Sequence, residues 1–341
     1  MPFDNTIFAN LEADLPNLEI DQIKERLQPL MIGYGIQCPI YDPGAFLYRA
    51  RRFGPNFNKT VDIRLADLIY PPSNLAKIGR LNRVGQSIFY ASMHKQSVFF
   101  ELPDLSCGDE VLVTFWKTKK RMLVNNIGYT EFAFNQLGAK RPLPNFANSL
   151  PSASHQETIT LPTLNKDQLE AALRGDQERE LKEAFSKAFM RKAEPQHAFQ
   201  YKMTVAIAEL HLGEIQNFDD SFAGILYPST RMWANGDNVA LLPDYVDNHI
   251  ELRNALHIKV KSRTETTIEI ESFDEARSFD AEGKLVWLGR MGHWIVGPHQ
   301  LVKATAIAGV DADGDYSTCE NGGTAHWEVV DATTGTPILR G

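Results

Sequence analysis

The chain has 341 residues, of which 43% are hydrophobic and 23% charged, and this balance excludes a chain too polar to build a core. Its formal net charge of −8 argues against broad binding of nucleic-acid phosphates, so no direct nucleic-acid partner is expected. No apolar run approaches membrane-spanning length and residues 1–16 lack a signal-peptide pattern, so we expect a cytoplasmic protein without membrane contact.

The cysteines and histidines do not form a recognisable metal site. Cys38, Cys107 and Cys319 are far apart and odd in number, which favours reduced thiols over a disulfide framework or a CxxC pair. The histidines lack metal-ligand spacing and no HExxH motif occurs. We therefore expect no metal cofactor.

The N-terminal segment, residues 1–39, is predicted to be a helical arm that packs on the rest of the chain. Its amphipathic stretch predicts a helix over Leu18 to Leu27, ended by Pro29. A strand is then expected over Phe46–Tyr48, and it leads into Arg49, Arg51 and Arg52. Guanidinium groups at a strand end suit a phosphate or carboxylate, although solvated surface charges are the alternative interpretation.

Residues 79–101 hold the first group of candidate functional side chains. Arg80 follows a glycine, and the run Ile88 to Tyr90 favours a strand. A helix is expected from Ser92, as its N-cap, to Glu101. This order would place one arginine, one aromatic ring and one carboxylate around a common pocket.

The middle of the chain is predicted to be scaffold. A strand is expected over Val111–Trp116, followed by an irregular connection over residues 138–163. Helices are expected over Asn165–Arg174, Asp176 to Lys192 and Ala198–Leu212. The apolar stripe of the second helix, Leu181, Phe185 and Phe189, is typical of a surface that faces the core.

The second informative stretch is residues 218–244. Short apolar strands are expected over Gly224–Tyr227 and Asn238–Leu242, and the first leads into Ser229. A serine hydroxyl after a strand can bind a phosphate or ribose hydroxyl, whereas an ST-turn or helix cap is the structural alternative. Residues 261–341 are predicted to be a β-rich C-terminal extension, and no internal repeat is visible.

Five short blocks, taken in order, resemble the RES-domain family. They are YRAR at residues 48–51, GR-N at 79–82, FYAS at 89–92, a glutamate ending the next helix, and GILYPS at 224–229. The intervals between Arg80, Tyr90 and Glu101 contribute to this match. The resemblance covers about residues 40–260, which we take as one domain with a helical insertion at about 164–192.

The resemblance implies an α+β fold similar to that of ADP-ribosyltransferases, with a bent, split antiparallel sheet and flanking helices. It also implies an NAD-consuming enzyme that cleaves the nicotinamide–ribose bond by phosphorolysis, hydrolysis or ADP-ribosyl transfer. NAD would be the substrate. Carried over, Glu101 would be the catalytic carboxylate assisted by Arg80. Arg49 and Arg80 would bind the NAD phosphates, Tyr90 would lie beside the nicotinamide or its ribose, and Ser229 would contact a phosphate or ribose.

The family supplies toxins of RES–Xre toxin–antitoxin pairs, so the resemblance also implies a growth-arresting toxin with an Xre-type antitoxin or another regulatory protein as partner. The long interval between Glu101 and Ser229 and the C-terminal extension depart from a compact toxin. The alternative is a catalytically idle RES-like module that senses a nucleotide or binds a protein. The acceptor stays open, and the sequence is compatible with a homo-oligomer.

Overall fold

The structure of the chain is a computed structural model. It describes residues 6–32, 34–35, 37–54, 57, 62–95, 97–102, 104–144, 153–158, 175–191, 195–215, 222–264, 268–288, 292–296, 300–301, 305–306, 308–310, 316–318, 329–331 and 337–339.

The described α-helices are α1 (Thr6–Asp14), α2 (Ile20–Leu27), α3 (Leu65–Leu68), α4 (Ser97–Glu101), α5 (Glu131–Leu137), α6 (Gly175–Met190), α7 (Tyr201–Ile215) and α8 (Pro243–His249). Three 3-10 helices cover Gln28–Met31, Ser73–Leu75 and Pro195–Gln200. Helix α5 shows how local chemistry sets the ends, because the Thr130 hydroxyl accepts a hydrogen bond from the Ala133 amide and Gly138 closes the helix with a φ of +70°.

The described strands are β1 (Gln37–Tyr41), β2 (Phe46–Arg52), β3 (Phe89–Ser92), β4 (Glu110–Thr118), β5 (Met122–Asn126), β6 (Ala153–Thr158), β7 (Phe222–Pro228), β8 (Asp237–Leu241), β9 (Ile250–Arg263), β10 (Ile268–Phe279), β11 (Leu285–Trp287), β12 (Gly292–Val296), β13 (Gln300–Leu301), β14 (Thr305–Ala306), β15 (Ala308–Val310), β16 (Tyr316–Thr318), β17 (Val329–Asp331) and β18 (Pro337–Leu339).

The protein is a mixed α+β structure built on one large open sheet. The strand order is β14-β12-β10-β9-β4-β2-β3-β8-β7-β5-β1-β6, with β11 paired to β10. Every described pairing in it is antiparallel except that of β5 with β7. Short separate sheets join β13 with β17 and β18, and β15 with β16.

The large sheet splays between β2 and β3. Strand β2 pairs with β4 along its whole length, but it pairs with β3 only where Tyr48 lies opposite Ser92. On its other side β3 pairs with β8 along its whole length, from Phe89 to Ser92. The sheet therefore has two halves that meet at a single pair of residues, and the two halves diverge there.

The apolar core follows the alternation of side chains in these strands. One cluster, which includes Leu47, Phe89, Trp116 and Val239, lies on one face and extends across both halves of the sheet. The opposite face carries two separate clusters. One packs α1, α2, α6 and α7 against the β7–β8 half, and the other packs α4 against β4, β9 and β10. The gap between these two clusters lies beside the splay.

Several predicted elements are confirmed, among them the α2 helix, the β4 strand and the α6 helix. Leu181, Phe185 and Phe189 of α6 are buried, as the stripe predicted. The third predicted helix begins later, since residues 195–200 form a 3-10 turn before α7. The predicted helix over Asn165–Arg174 lies outside the described residues.

Two predictions from the sequence were wrong. Ser92 does not cap a helix, because it ends β3 and its hydroxyl donates to the Asp237 carbonyl, so that α4 starts only at Ser97. The connection over 138–163 is not wholly irregular, because Ala153–Thr158 pairs with β1 as an edge strand. Such a strand is held by backbone hydrogen bonds and does not require the alternating apolar pattern.

The predicted domain boundary at residue 260 lies inside β9, which runs from Ile250 to Arg263 and pairs with β4. Strands β10, β11 and β12 then extend the same sheet. Within the described part of the chain, none of the helices combines the length and apolar character needed to cross a bilayer.

Candidate functional site

Glu101 is the last residue of α4 and lies at the gap between the two separate core clusters. Its Oε1 accepts hydrogen bonds from the Ser229 hydroxyl and from the Asn238 side-chain amide, the latter at 2.8 Å. No described residue donates a hydrogen bond to Oε2. The carboxylate is therefore held in one orientation through one oxygen, and its second oxygen is left for another group.

Ser229 is fully buried, and its hydroxyl is occupied by the protein. The same hydroxyl that donates to Glu101 accepts a hydrogen bond from the Met232 amide at 3.1 Å. The Ser229 amide donates to the Gly236 carbonyl at 2.8 Å. These contacts make Ser229 a positioning residue for the carboxylate, whereas the resemblance implied a direct contact with a phosphate or ribose.

The loop from Ser229 to Gly236 is strained and tightly braced. Trp233 and Ala234 have φ values of 49° and 58°, a region that costs free energy for residues with a side chain. Arg141 braces the loop, since its Nε donates to the Ala234 carbonyl at 2.6 Å. At Gly236, an added Cβ would lie 2.3 Å from the Ser97 hydroxyl, so only glycine allows α4 to approach so closely.

Tyr90 organises the loop that carries Arg80. Its hydroxyl donates to Asn82 Oδ1 and accepts a hydrogen bond from the Leu81 amide, both at 2.8 Å. An added Cβ at Gly79 would lie 2.5 Å from Asn82 Oδ1 and 2.9 Å from the Tyr90 hydroxyl. The Gly-Arg-x-Asn sequence is thus explained by the Tyr90 hydroxyl, which packs against the loop and requires glycine at position 79 and asparagine at position 82. The Tyr90 ring is half-buried.

Arg80 contacts the end of the helical insertion. Its guanidinium donates hydrogen bonds to the carbonyls of Phe189 and Arg191, which lie at the C-terminal end of α6. A cation at this position satisfies carbonyls that a helix terminus leaves unpaired. Both terminal nitrogens of the Arg80 guanidinium, Nη1 and Nη2, thus donate a hydrogen bond to the end of α6.

Arg49 bridges the splay of the sheet. It belongs to β2, and its guanidinium donates to the Tyr90 carbonyl of β3 at 2.8 Å. The guanidinium also lies 5.5 Å from the centre of the Phe89 ring. Burial, with a smaller contribution from the charge of Arg51, lowers the pKa of Arg49 to about 10, so the group stays protonated at neutral pH.

The structure brings the predicted residues into one neighbourhood. Arg49 contacts Tyr90, and Glu101 contacts Ser229. Tyr227 is a buried residue of β7 whose hydroxyl is influenced by the charges of both pairs. Burial raises the pKa of its hydroxyl well above the usual value, with further contributions from Tyr90 and Glu101. The neighbourhood combines two arginines, two tyrosines and one oriented carboxylate.

Asn82, Asn238 and Tyr227 belong to this neighbourhood but were not among the predicted site residues. Asn82 is 4% exposed, and its amide donates to the carbonyls of Lys77 and Arg83, both at 2.8 Å. Asn238 is also 4% exposed, and its Oδ1 has no hydrogen-bond partner in the described structure. The sequence feature that could have identified Asn238 as a site residue is its polar side chain at the start of the apolar run NVALL.

A buried charged network lies next to Asn238 in the sequence. The Asp237 carboxylate accepts hydrogen bonds from Arg141 at 2.7 and 2.5 Å and from the Tyr129 hydroxyl at 2.6 Å, and its Oδ2 lies 3.2 Å from His94 Nε2. Because neighbouring residues of a strand point to opposite faces, this network lies on the other side of β8 from the Asn238 side chain.

Within the described ranges, no group of three or more His, Cys, Asp or Glu side chains could hold a metal ion. A scan against protein-family models finds no match to this chain, and a search of curated proteins also finds none.

Proposed function

We propose that the chain is a RES-type enzyme that consumes NAD by cleaving its nicotinamide–ribose bond, on a fold similar to that of ADP-ribosyltransferases. The observation that carries this proposal is the orientation of Glu101. Ser229 and Asn238 hold one carboxylate oxygen, while the other oxygen has no partner among the described residues. The splay between β2 and β3 supports the proposed bent, split sheet.

The proposed chemistry follows from the charge that develops during cleavage. Breaking the nicotinamide–ribose bond leaves an oxocarbenium-like cation on the ribose, and a fixed carboxylate nearby stabilises that cation. Because Ser229 and Asn238 pre-orient Glu101, no free energy is needed to orient it during the reaction. The nicotinamide ring is already cationic in NAD, so it leaves without a general acid, and the face of Tyr90 suits such a cation.

The arginines supply the proposed binding of the NAD diphosphate. Arg49 uses one described hydrogen bond, to the Tyr90 carbonyl, and its remaining donors can take a phosphate oxygen. Arg80 belongs to the Gly79–Asn82 loop, which packs against Tyr90. To bind a phosphate and assist catalysis, it must use guanidinium N–H groups other than those that donate to the end of α6. Ser229 acts through Glu101 in this proposal.

Incubation of the purified chain with NAD, with and without inorganic phosphate, tests the proposal and identifies the acceptor. Chromatography should detect nicotinamide together with ADP-ribose, or with an ADP-ribose phosphate when phosphate is the acceptor. Transfer to a protein would appear as a mass increase of that protein. Unchanged NAD with and without phosphate, and in the presence of candidate protein acceptors, would contradict the proposal.

A second candidate function is a catalytically idle module that binds a nucleotide or a regulatory protein. The engagement of Arg80 by the α6 carbonyls favours it, because a helix end occupies a residue proposed for catalysis. The wild-type chain would then bind ADP-ribose without consuming NAD. A growth-arresting toxin with an Xre-type antitoxin is the cellular role that we propose for the active enzyme. Growth arrest on expression of the wild-type chain, but not of Glu101→Gln, would support that role.

A further inference from the structure

The segment that carries Arg80, residues 76–88, contains neither a helix nor a strand, although all of its residues are described. We call it the Arg80 loop. Its backbone closes on itself where the Gly79 amide donates to the Asn82 carbonyl at 3.0 Å. A loop without a regular ladder of backbone hydrogen bonds depends on side chains to fix its position. The orientation of Arg80 therefore depends on the side chains that hold this loop.

Arg83 lies in the Arg80 loop and binds two carboxylates that belong to two different helices. Its Nε and Nη2 donate to Glu209 of α7 at 2.5 and 2.8 Å. Its Nη1 and Nη2 donate to Asp21 of α2 at 2.9 and 2.5 Å. The planar guanidinium matches each carboxylate with two hydrogen bonds, a geometry that lysine does not reproduce. Arg83 thus joins the loop to both helices.

The link from Arg83 to Glu209 is the better protected of the two. The Glu209 side chain keeps 14% of its exposure, whereas that of Asp21 keeps 66%. Lys24 of α2 also donates to Glu209, at 2.7 Å. Burial alone would raise the pKa of Glu209, but hydrogen bonds from Arg83 and Lys24 outweigh it, so the pKa lies below its usual value. Because exposed ion pairs contribute little, Glu209 provides most of the attachment.

The main chain of Arg83 is tied to the rest of the loop. Its carbonyl accepts a hydrogen bond from Asn82 Nδ2 at 2.8 Å, and its amide donates to Gln86 Oε1 at 3.0 Å. Asn82 Oδ1 in turn accepts from the Tyr90 hydroxyl at 2.8 Å. A continuous series of contacts therefore leads from α7 through Arg83 and Asn82 to the part of the loop that presents Arg80.

The N-terminal helices also hold the other flank of Arg80. The guanidinium of Arg80 donates to the carbonyl of Arg191, and the Arg191 side chain forms an ion pair with Glu12 of α1 at 2.6 Å. We infer that Arg83 is a positioning residue for Arg80, which it orients toward a phosphate of the nucleotide by tying the loop to α2 and α7. The identity of the nucleotide as NAD rests on the proposed function.

Hydrogen exchange of the full chain tests the attachment of the loop without any ligand. In Arg83→Met, amides within residues 76–88 should exchange at least about threefold faster than in the wild type, because the loop opens more often. Asp21→Asn removes only the exposed link and should have a smaller effect in the same direction. The matched control is Lys261→Met, which breaks an ion pair with Glu271 between β9 and β10 and should leave the loop unchanged. Wild-type exchange of the loop in both Arg83→Met and Asp21→Asn would overturn the inference.

Calorimetric binding of ADP-ribose tests whether Arg83 acts through Arg80. Arg83→Met should weaken binding about three- to tenfold when it is made in the wild type, but it should have no further effect in the Arg80→Met background. Arg83→Lys keeps the charge and should restore part of the affinity. A purely structural role would lower the affinity equally in both backgrounds, and that result would overturn the inference, as would the absence of ADP-ribose binding by the wild type.

NAD consumption, measured separately, distinguishes this inference from the proposed function. An effect of Arg83 on ADP-ribose binding that depends on Arg80, without NAD consumption by the wild type, contradicts only the proposed function. NAD consumption together with an ADP-ribose affinity that does not depend on Arg83 contradicts only this inference.

Discussion

Replacement of Asp237 by asparagine should destabilise the protein strongly, although the change removes no heavy atom from the core. The carboxylate is fully buried and is held by Arg141 through two hydrogen bonds, by Tyr129, and by His94. An asparagine keeps the shape but cannot neutralise the guanidinium. The buried charge of Arg141 would then lack its counter-ion.

The expected cost follows from the burial of the pair. Removing one partner of a buried ion pair lowers the free energy of unfolding by about 3–5 kcal/mol, because the remaining charge stays buried without a counter-ion. The Arg141 side chain keeps 20% of its exposure, which places the estimate near the lower end, at about 3 kcal/mol. The double variant Asp237→Asn/Arg141→Met removes both charges, so its cost should be smaller than the sum of the two single costs by about 0.5–3 kcal/mol.

The same network predicts how stability depends on pH. Burial alone would raise the pKa of Asp237, but the charge of Arg141 and hydrogen bonds from Arg141 and His94 outweigh it, so the folded-state pKa lies well below the usual value. A lowered carboxylate pKa stabilises the folded state above the unfolded-state pKa of about 4. This contribution is lost progressively as the pH falls below 4 toward the folded-state pKa.

Urea unfolding at pH 7 and at several values below pH 4 measures both effects. The difference in unfolding free energy between the wild type and Asp237→Asn should be about 3 kcal/mol at pH 7 and should shrink with acid. A difference below about 1 kcal/mol at pH 7, or costs of the two single variants that add without coupling, would refute this reasoning.

Three further substitutions, together with one control substitution, test the support of the site. Tyr90→Phe leaves two loop groups without their partner and should cost about 1–3 kcal/mol in urea unfolding, and a cost near zero would contradict the described hydrogen bonds. Gly79→Ala should cost about 1–3 kcal/mol in stability, because the added Cβ would clash with Asn82. Its control, Gly213→Ala, lies at an open position of α7 and should stabilise the protein by up to about 1 kcal/mol. Equal effects of the two substitutions would contradict the packing argument. Ser229→Ala should slow nicotinamide release about ten- to a hundredfold, and an unchanged rate would exclude its positioning role.

The parts of the fold that the sequence predicted are those in which local pattern and tertiary environment agree. The apolar run from Val111 to Trp116 forms a strand because it is buried on both faces of the sheet. The stripe of Leu181, Phe185 and Phe189 forms a helix face because its spacing matches the helical repeat. Neither conclusion needs knowledge of a distant partner.

The parts that could not be predicted depend on distant partners. Ser92 ends a strand because it pairs with Asn238, 146 positions later, and this pairing overrides its preference for a helix cap. Asn238 itself donates a hydrogen bond to Glu101 only when α4 is packed beside β8. In the same way, the contact of Arg80 with Phe189 at the end of α6 joins residues 109 positions apart in the sequence.

The most direct test of the central claim is the rate of nicotinamide release from NAD by Glu101→Gln. The glutamine retains an oxygen that can accept from Ser229 and Asn238, so folding stability should change little. The substitution removes the charge that we propose stabilises the oxocarbenium-like cation. Glu25→Gln, an exposed change on α2, is the matched control. We predict a loss of at least about a hundredfold for Glu101→Gln and none for Glu25→Gln. Release at the wild-type rate by a folded Glu101→Gln variant would contradict the account.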